Sequence, residues 1–337
     1  HWPLLVTPEL VVSRELTALE TGLTLAVTFG IAWASWRWVE LPFRRSGARP
    51  WRTLAVGGAA LLVVGGVGVG LAVTDGLPAR ARPEVLRAQS AWTSVQPLID
   101  ICHVRTGSSL PKVEDCSIGR RPGRVIVWGD SHASHLVPLV AAEAESQGLG
   151  LLEITKSACP PLPVVRAAEG CDDFNRRMLA LLVERHPRTV ILAGRWTQYF
   201  RWGGRDADAF AQGIEGGLGE VRRALGPDVR LILWGPSPEF DGKPSLCWAR
   251  RAHVGLDPSR CQIALPADMA AKAAVERALA TAAALVPGVV LIRPHGALCG
   301  HEGCPATTAE GDFIYRDADH LTVPGAESLT VLLTGQL

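Results

Sequence analysis

The sequence lacks a charge excess: 34 Lys and Arg stand against 33 Asp and Glu, for a formal net charge of +1. That balance excludes an electrostatic grip on nucleic acid, which needs a strong basic surplus. Lysine is scarce, Lys112, Lys156, Lys243 and Lys272 being the whole set, so arginine supplies most of the positive charge. Phosphate-binding glycine loops, dinucleotide fingerprints, Cys-x-x-Cys pairs, internal repeats and low-complexity tracts are all missing. The chain starts at His1 with neither methionine nor a signal-peptide pattern, and is expected to be the carboxy-terminal piece of something longer. What is present is a 47% hydrophobic, 20% charged composition. It suits one or two packed domains and excludes a disordered chain.

Charge is also missing locally. Thr53 to Thr74 is a run of 22 uncharged residues, long enough to cross a bilayer core as a helix. Its six glycines are tolerated better in spanning helices than in soluble ones. Thr21 to Trp36 is a shorter uncharged run, and Trp33, Trp36 and Trp38 cluster at its far end like an interfacial aromatic belt. Arg44, Arg45, Arg49 and Arg52 lie between the two. The positive-inside bias places that loop in the cytoplasm and everything after about Asp75 outside it.

Cysteine is absent from the first 101 residues, and all eight lie beyond the second run. An even count confined to that side suits disulfides in an oxidising compartment. Spacing favours sequential neighbours: Cys102–Cys116, Cys159–Cys171, Cys247–Cys261 and Cys299–Cys304. The competing reading is zinc held by His295, Cys299, His301 and Cys304, although the spacing fits no common finger.

Residues 76–120 read as a linker or extension, with Pro78, Pro83, Pro97 and Pro111 and no long periodic run. Beyond them, short apolar runs alternate with amphipathic stretches. The strands are expected at Val125–Trp128, Leu151–Thr155, Thr189–Ala193, Val229–Trp234 and Val289–Ile292. The helices are expected at His135–Ser146, Phe174–Arg185, Ala207–Leu225, Ala267–Leu285 and Ala326–Leu333. That alternation implies a parallel five-stranded sheet with helices on both faces, a three-layer α/β/α arrangement. Ligands of such sheets bind beyond the carboxyl ends of the strands.

Gly129-Asp130-Ser131-His132 follows the first strand. A serine at that turn presents its hydroxyl above the sheet, and its own N–H at a helix start faces a developing oxyanion. Asp-Ser is equally a helix cap, so the string alone is weak. Tyr315-Arg-Asp317-Ala-Asp319-His320-Leu-Thr322 precedes the last helix. Asp317 and His320 are three apart, so in a turn the carboxylate reaches the ring N–H and leaves the other nitrogen to take a proton from Ser131. This is the nucleophile–base–orienter logic of hydrolytic triads. Asp319, at the adjacent position, competes for the orienting role. His132 and His135 are expected to cap or pack.

These strings resemble the SGNH (GDSL-like) hydrolase superfamily, and more specifically the SGNH domains fused behind acyltransferase-3 membrane domains. Trp128-Gly-Asp-Ser-His132, Lys156-Ser-Ala-Cys-Pro-Pro161, Arg195-Trp196 and Tyr315 to Thr322 carry the resemblance. At the front, His1-Trp-Pro-Leu-Leu5 and Glu40-Leu-Pro-Phe-Arg44 look like the close of an acyltransferase-3 domain. The resemblance implies a flavodoxin-like SGNH-hydrolase domain at 121–337, an extracytoplasmic extension at 76–120 and an added transmembrane helix at 53–75. Residues 1–52 would be an acyltransferase-3 remnant with a span at about 21–38. Ser131 would be nucleophile, His320 base and Asp317 orienter.

The usual oxyanion glycine and Gly-x-Asn-Asp block are replaced by Lys156-Ser157-Ala158 and Gly194-Arg195-Trp196-Thr197. Oxyanion donors are then expected from Ser131, a backbone N–H near Ser157, and Arg195. Arg195 is expected to supply charge or bind glycan, and Trp196, Tyr199, Phe200 and Trp202 read equally as a sugar-stacking, substrate-binding wall and as ordinary packing.

The implied activity is O-acyl transfer, most often of acetyl, to an extracytoplasmic glycan at the plasma (inner) membrane. No bound cofactor or metal is expected. The acyl group would come from a cytoplasmic donor such as acetyl-CoA through the rest of the acyltransferase-3 domain, so this chain alone is not expected to run the whole reaction from acyl-CoA. The partners implied are the glycan, the bilayer and that remaining domain, with no nucleic acid. A glycan deacetylase and a non-catalytic glycan-binding module are the competing readings.

Overall fold

The computed structural model describes residues 2–12, 16–45, 50–119, 123–164, 166–240, 242–261, 266–300 and 303–337. The readings at His1, Arg49, Arg121 and His301 lie outside them. Two compact units emerge: one of residues 1–88 and 247–258, the other of 89–246 and 259–337.

The first unit holds two helical stretches, Ala18–Glu40 and Trp51–Val73, each 23 residues and with no residue of its apolar window buried. At about 1.5 Å per residue each is long enough for a hydrocarbon core of about 30 Å. The first begins at a capping box. Thr17 Oγ1 accepts the Glu20 N–H, and Glu20 reaches back to the Thr17 N–H at 2.8 Å.

The second unit holds a seven-stranded sheet: β1 (His103–Val104), β2 (Ser117–Ile118), β3 (Val125–Gly129), β4 (Leu151–Lys156), β5 (Thr189–Ala193), β6 (Arg230–Trp234) and β7 (Val289–Ile292). Its order is β1-β4-β3-β5-β6-β7, all parallel, with β2 antiparallel on β4. The five strands expected from sequence are β3 to β7. The segment read as a linker or extension adds β1 and β2, two residues each and too short to show periodicity.

Side chains alternate between two cores, as strand pleating requires. Ile126, Trp128, Leu152, Ile154, Val190 and Leu192 face the core that includes Phe174, Ile214, Leu218 and Leu279 of the helices Cys171–Arg185, Ala207–Leu225 and Pro266–Leu285. Val125, Val127, Ile191 and Ile232 face the other, closed by Leu139 and Val140 of the helix Val137–Ser146 and by Leu329 and Leu333. The chain leaves β3 toward β4 on one side and returns across β3 to β5 on the other. The carboxyl end of β3 is therefore the topological switch point, where open α/β sheets bind ligands.

The final helix differs from expectation. It is a turn, Val323–Glu327, followed by a 3₁₀ turn at Thr330–Leu332, instead of Ala326–Leu333. Thr322 caps the start earlier, its hydroxyl accepting the Gly325 N–H at 3.0 Å. Gly325 also lies so close to the chain at 314 that a Cβ would sit 2.1 Å from the Ile314 carbonyl oxygen.

Candidate active site

The turn after β3 requires its glycine. Gly129 has φ +154°, and a Cβ there would lie 1.8 Å from the Ala193 carbonyl oxygen on β5. Asp130 then caps the turn Ser131–Ser134, its Oδ1 accepting the His132 N–H at 2.7 Å. Its Oδ2 accepts the Arg195 N–H at 2.9 Å and the Tyr199 hydroxyl. One carboxylate thus ties the loop after β3 to the loop after β5. Burial and the Asp130 charge hold the Tyr199 phenol well above its ordinary pKa, so it remains a donor. The Ser131 N–H, at the first position of the turn, has no partner among the described residues.

The second half of the site is a tight loop closed by a bridge between Tyr315 and Leu321. Asp317 Oδ1 accepts the backbone N–H groups of Asp319 at 3.1 Å and His320 at 2.8 Å. That turn makes a spacing of three work: the same carboxylate lies 2.9 Å from His320 Nδ1 through either oxygen. His320 Nε2 lies 2.8 Å from Ser131 Oγ. In neutral His320 the proton sits on Nδ1 against the carboxylate, leaving Nε2 to accept from the serine. Burial alone would lower the His320 pKa. Hydrogen bonds and charge from Asp317 and Asp319 outweigh it and raise the value to about 9.

Asp319 has a different set of partners. Its Oδ1 is 3.2 Å from His320 Nδ1, while its Oδ2 accepts from Arg195 Nη1 at 2.6 Å and faces His132 Nε2 at 3.4 Å. Burial would raise its pKa, but His132 and His320 hold it far below the carboxylate range. Asp317 therefore makes the closer approach to His320, and Asp319 ties the imidazole to Arg195.

Arg195 also donates to Glu239 at 3.1 Å. The Glu239 side chain is 5% exposed and further accepts from Arg201 and Thr197, and although burial pushes its pKa up, Arg195 brings it down overall. The guanidinium expected to meet substrate is thus committed to two carboxylates. His132 and His135 are buried, as expected, with ring centroids 4.9 Å apart.

Several sequence expectations are corrected. Trp196, Tyr199 and Phe200 are no sugar-stacking wall: they are 0%, 2% and 4% exposed and belong to the core on the Trp128 side. A short helix, Trp196–Trp202, turns them inward, and Trp196 Nε1 donates to the Trp234 carbonyl at 2.8 Å. Trp202 alone of that group is exposed. The Ser157 N–H is not an available oxyanion donor, because it donates to the Val104 carbonyl at 2.9 Å and continues the β1–β4 ladder. The Ser157 hydroxyl pairs with His103 Nε2.

Cys102–Cys116, Cys159–Cys171 and Cys299–Cys304 are bonded, and Cys247 and Cys261 are both in disulfide linkage. The zinc alternative therefore loses the Cys299 and Cys304 thiolates it needs. Glu239 was missed altogether, since nothing local in its sequence links it to the loop after β5.

The family model of the SGNH domain (fused to AT3 domains) matches residues 101–334. The chain belongs to this family. Residues 1–100 lie outside the match. In structure it is similar to the periplasmic domain of the lipopolysaccharide acetyltransferase of Salmonella ser. Paratyphi A, at TM-score 0.56 and 18% identity over 73% of this chain and 98% of that one. A GDSL-like lipase from Parabacteroides merdae matches at TM-score 0.39 and 10% identity, over 65% of this chain and 99% of its own. No curated protein matches the chain. The SGNH family match and the Ser131–His320–Asp317 geometry together fit an acyl-transfer or esterase enzyme.

Proposed function

We propose that the chain carries the serine site of an O-acyltransferase that modifies an extracytoplasmic glycan. Ser131 Oγ, 2.8 Å from His320 Nε2 with Asp317 on the opposite ring nitrogen, is the observation that carries the reading. In the first half-reaction Ser131 Oγ bonds to the acyl carbonyl carbon and passes its proton to His320 Nε2. The tetrahedral intermediate collapses, the donor's bond to the acyl group breaks, and the leaving group takes that proton. In the second, His320 removes the proton of a sugar hydroxyl as it attacks the acyl-serine, and returns it to Ser131. The Ser131 N–H stabilises the oxyanion in both. Asp317 and Asp319 stabilise the imidazolium formed midway, while Arg195 offsets the second carboxylate's charge.

In this reading the exported unit lies outside the cytoplasmic membrane, and its acyl groups come from an acyltransferase-3 domain fed by a donor such as acetyl-CoA. The family match to domains fused to AT3 domains supports this. Water in place of the sugar would make the same site an esterase. The test compares acyl content of surface glycan in cells carrying the full-length protein and its Ser131→Ala version. Loss of acyl groups in the variant is expected. Equal acyl content refutes the relay, and a rise in acyl content identifies a deacetylase.

A further inference from the structure

Ser131 borders a cleft between the segment Ser94 to Ile99 and the loop that carries His320. Its enclosed space is about 20 Å³, room for one water-sized group, and the rest is open mouth. A substrate group recognised here is therefore met at the mouth.

The hydrogen-bonding groups around the cleft are unequally committed. Gln96 gives its amide N–H groups to Glu153 at 2.8 and 3.0 Å and to Ser134 at 3.0 Å, and its carbonyl accepts the Leu98 N–H at 2.6 Å. Ser134 donates in turn to Glu153 at 2.7 Å. Thr322 Oγ1 donates to the Phe313 carbonyl and accepts the Gly325 N–H, and Ser94 Oγ accepts the Val323 N–H at 3.1 Å. Each of these acceptors already holds a donor. No carboxylate among the described residues lines the cleft.

Two groups on the cleft are left over, and both are donors. His135 Nδ1 accepts the Leu321 N–H at 3.3 Å, so the neutral ring carries its proton on Nε2. Burial first, then His132 and His320, hold the His135 pKa well below its ordinary value and keep the ring neutral. Its Nε2 is buried with no partner among the described residues. The second group is Arg316, whose side chain is 19% exposed. Its Nε lies 3.5 Å from Asp317 Oδ2, too long for a good hydrogen bond. That carboxylate is already shared between His320 Nδ1 and two backbone N–H groups. Both Nη groups of Arg316 have no partner among the described residues. A guanidinium fork left open in this way matches the paired oxygens of a carboxylate or phosphate.

We propose that Arg316, beside the His135 Nε2–H, forms an anion subsite at the mouth of this cleft, and that the acyl acceptor is accordingly an acidic glycan with a carboxylate or phosphate near the hydroxyl that takes the acyl group. The proposal rests on the serine reading above and narrows its substrate class.

The test measures protection of Ser131. Ethyl p-nitrophenyl methylphosphonate, which is uncharged, labels the purified chain, and intact mass reports the rate. Ser131 Oγ bonds to phosphorus, p-nitrophenolate leaves, and the serine proton goes to His320. D-Glucuronate and D-glucose 6-phosphate are the acidic probes and D-glucose the neutral one, all at one ionic strength. At least one acidic sugar is expected to halve the labelling rate at a concentration about tenfold or more below that of glucose, as one charge-assisted contact implies. Protection by glucuronate alone identifies a carboxylate subsite, and by the phosphate alone a phosphate subsite. Arg316→Gln is expected to remove the difference between acidic and neutral sugars, and Arg316→Lys to keep part of it. Protection is taken against each protein's own unprotected rate, so a change in that rate cancels. Equal protection by acidic and neutral sugars, protection by none, or a difference that survives in Arg316→Gln overturns the subsite and leaves the serine reading standing. Absence of Ser131 labelling in the wild type overturns the serine reading and the subsite with it. Should Arg316→Gln fail to label, the wild-type sugar series and Arg316→Lys decide.

Discussion

Replacing Asp317 by Asn takes one charge from beside His320 and keeps the side chain's shape. The rise of the His320 pKa from 6.5 to about 9 corresponds to roughly 3 kcal/mol in favour of imidazolium. Two carboxylates maintain it, at 2.9 Å and 3.2 Å from Nδ1. Removing the nearer charge and leaving Asp319 should lower the pKa by about 1–2 units. Only neutral His320 accepts the Ser131 proton. Phosphonylation of Ser131 in the wild type should therefore climb about tenfold per pH unit and level off near pH 9. In Asp317→Asn the limb should move to between about pH 7 and 8, with a plateau lower by roughly 100-fold or more because the imidazolium loses its stabilising partner. The assay is the second-order labelling rate of both proteins from pH 6 to 10. A wild-type rate flat between pH 7 and 9, or an identical limb in both proteins, refutes the reasoning. The linkage has a second consequence. A folded-state pKa raised above the unfolded one stabilises the fold fully below about pH 6.5, and that contribution fades as pH rises through about 9.

Gly129→Ala should cost roughly 3 kcal/mol or more, because its Cβ meets the β5 carbonyl at 1.8 Å and its φ is +154°; a thermal melt lowered by less than a few degrees contradicts this. Burial pushes the Glu153 pKa up to about 7, against hydrogen bonds from Ser134, Thr155 and Gln96. The folded state therefore binds a proton that the unfolded state releases, and stability from this group is lost as pH rises from 4.5 to about 7. Glu153→Gln should flatten the melting temperature across that window, while an unchanged slope counts against the assignment. All the cysteines of the chain are paired. Thiol titration of unfolded, unreduced protein should detect none, and a stoichiometric signal contradicts the pairing.

The parts of this molecule legible in sequence are those set by neighbours along the chain. Val125 to Trp128 and Thr189 to Ala193 read as buried strands because both faces of the sheet are covered and the runs are apolar throughout. Asp317 and His320 could be paired because the turn that joins them is built by Asp317 itself. Ser131 could be placed at a strand end by its glycine. What escaped depends on long-range placement. Trp196 and Tyr199 carried an aromatic signal equally compatible with a binding wall and a core, and only the direction of a seven-residue helix decides. Ser157 lost its N–H to β1, a strand of two residues. Glu239 reaches Arg195 across 44 positions, and the cleft beside Ser131 is shaped by a segment from the stretch read as an extension.

The central claim concerns one oxygen atom, and trapping its ester tests it most directly. The purified protein is mixed with p-nitrophenyl acetate, quenched in acid within the first turnover and mapped by peptide mass. Acetyl on Ser131, absent from Ser131→Ala, is the predicted result. Acetyl found only on other side chains, or ester hydrolysis undiminished in Ser131→Ala, contradicts the account.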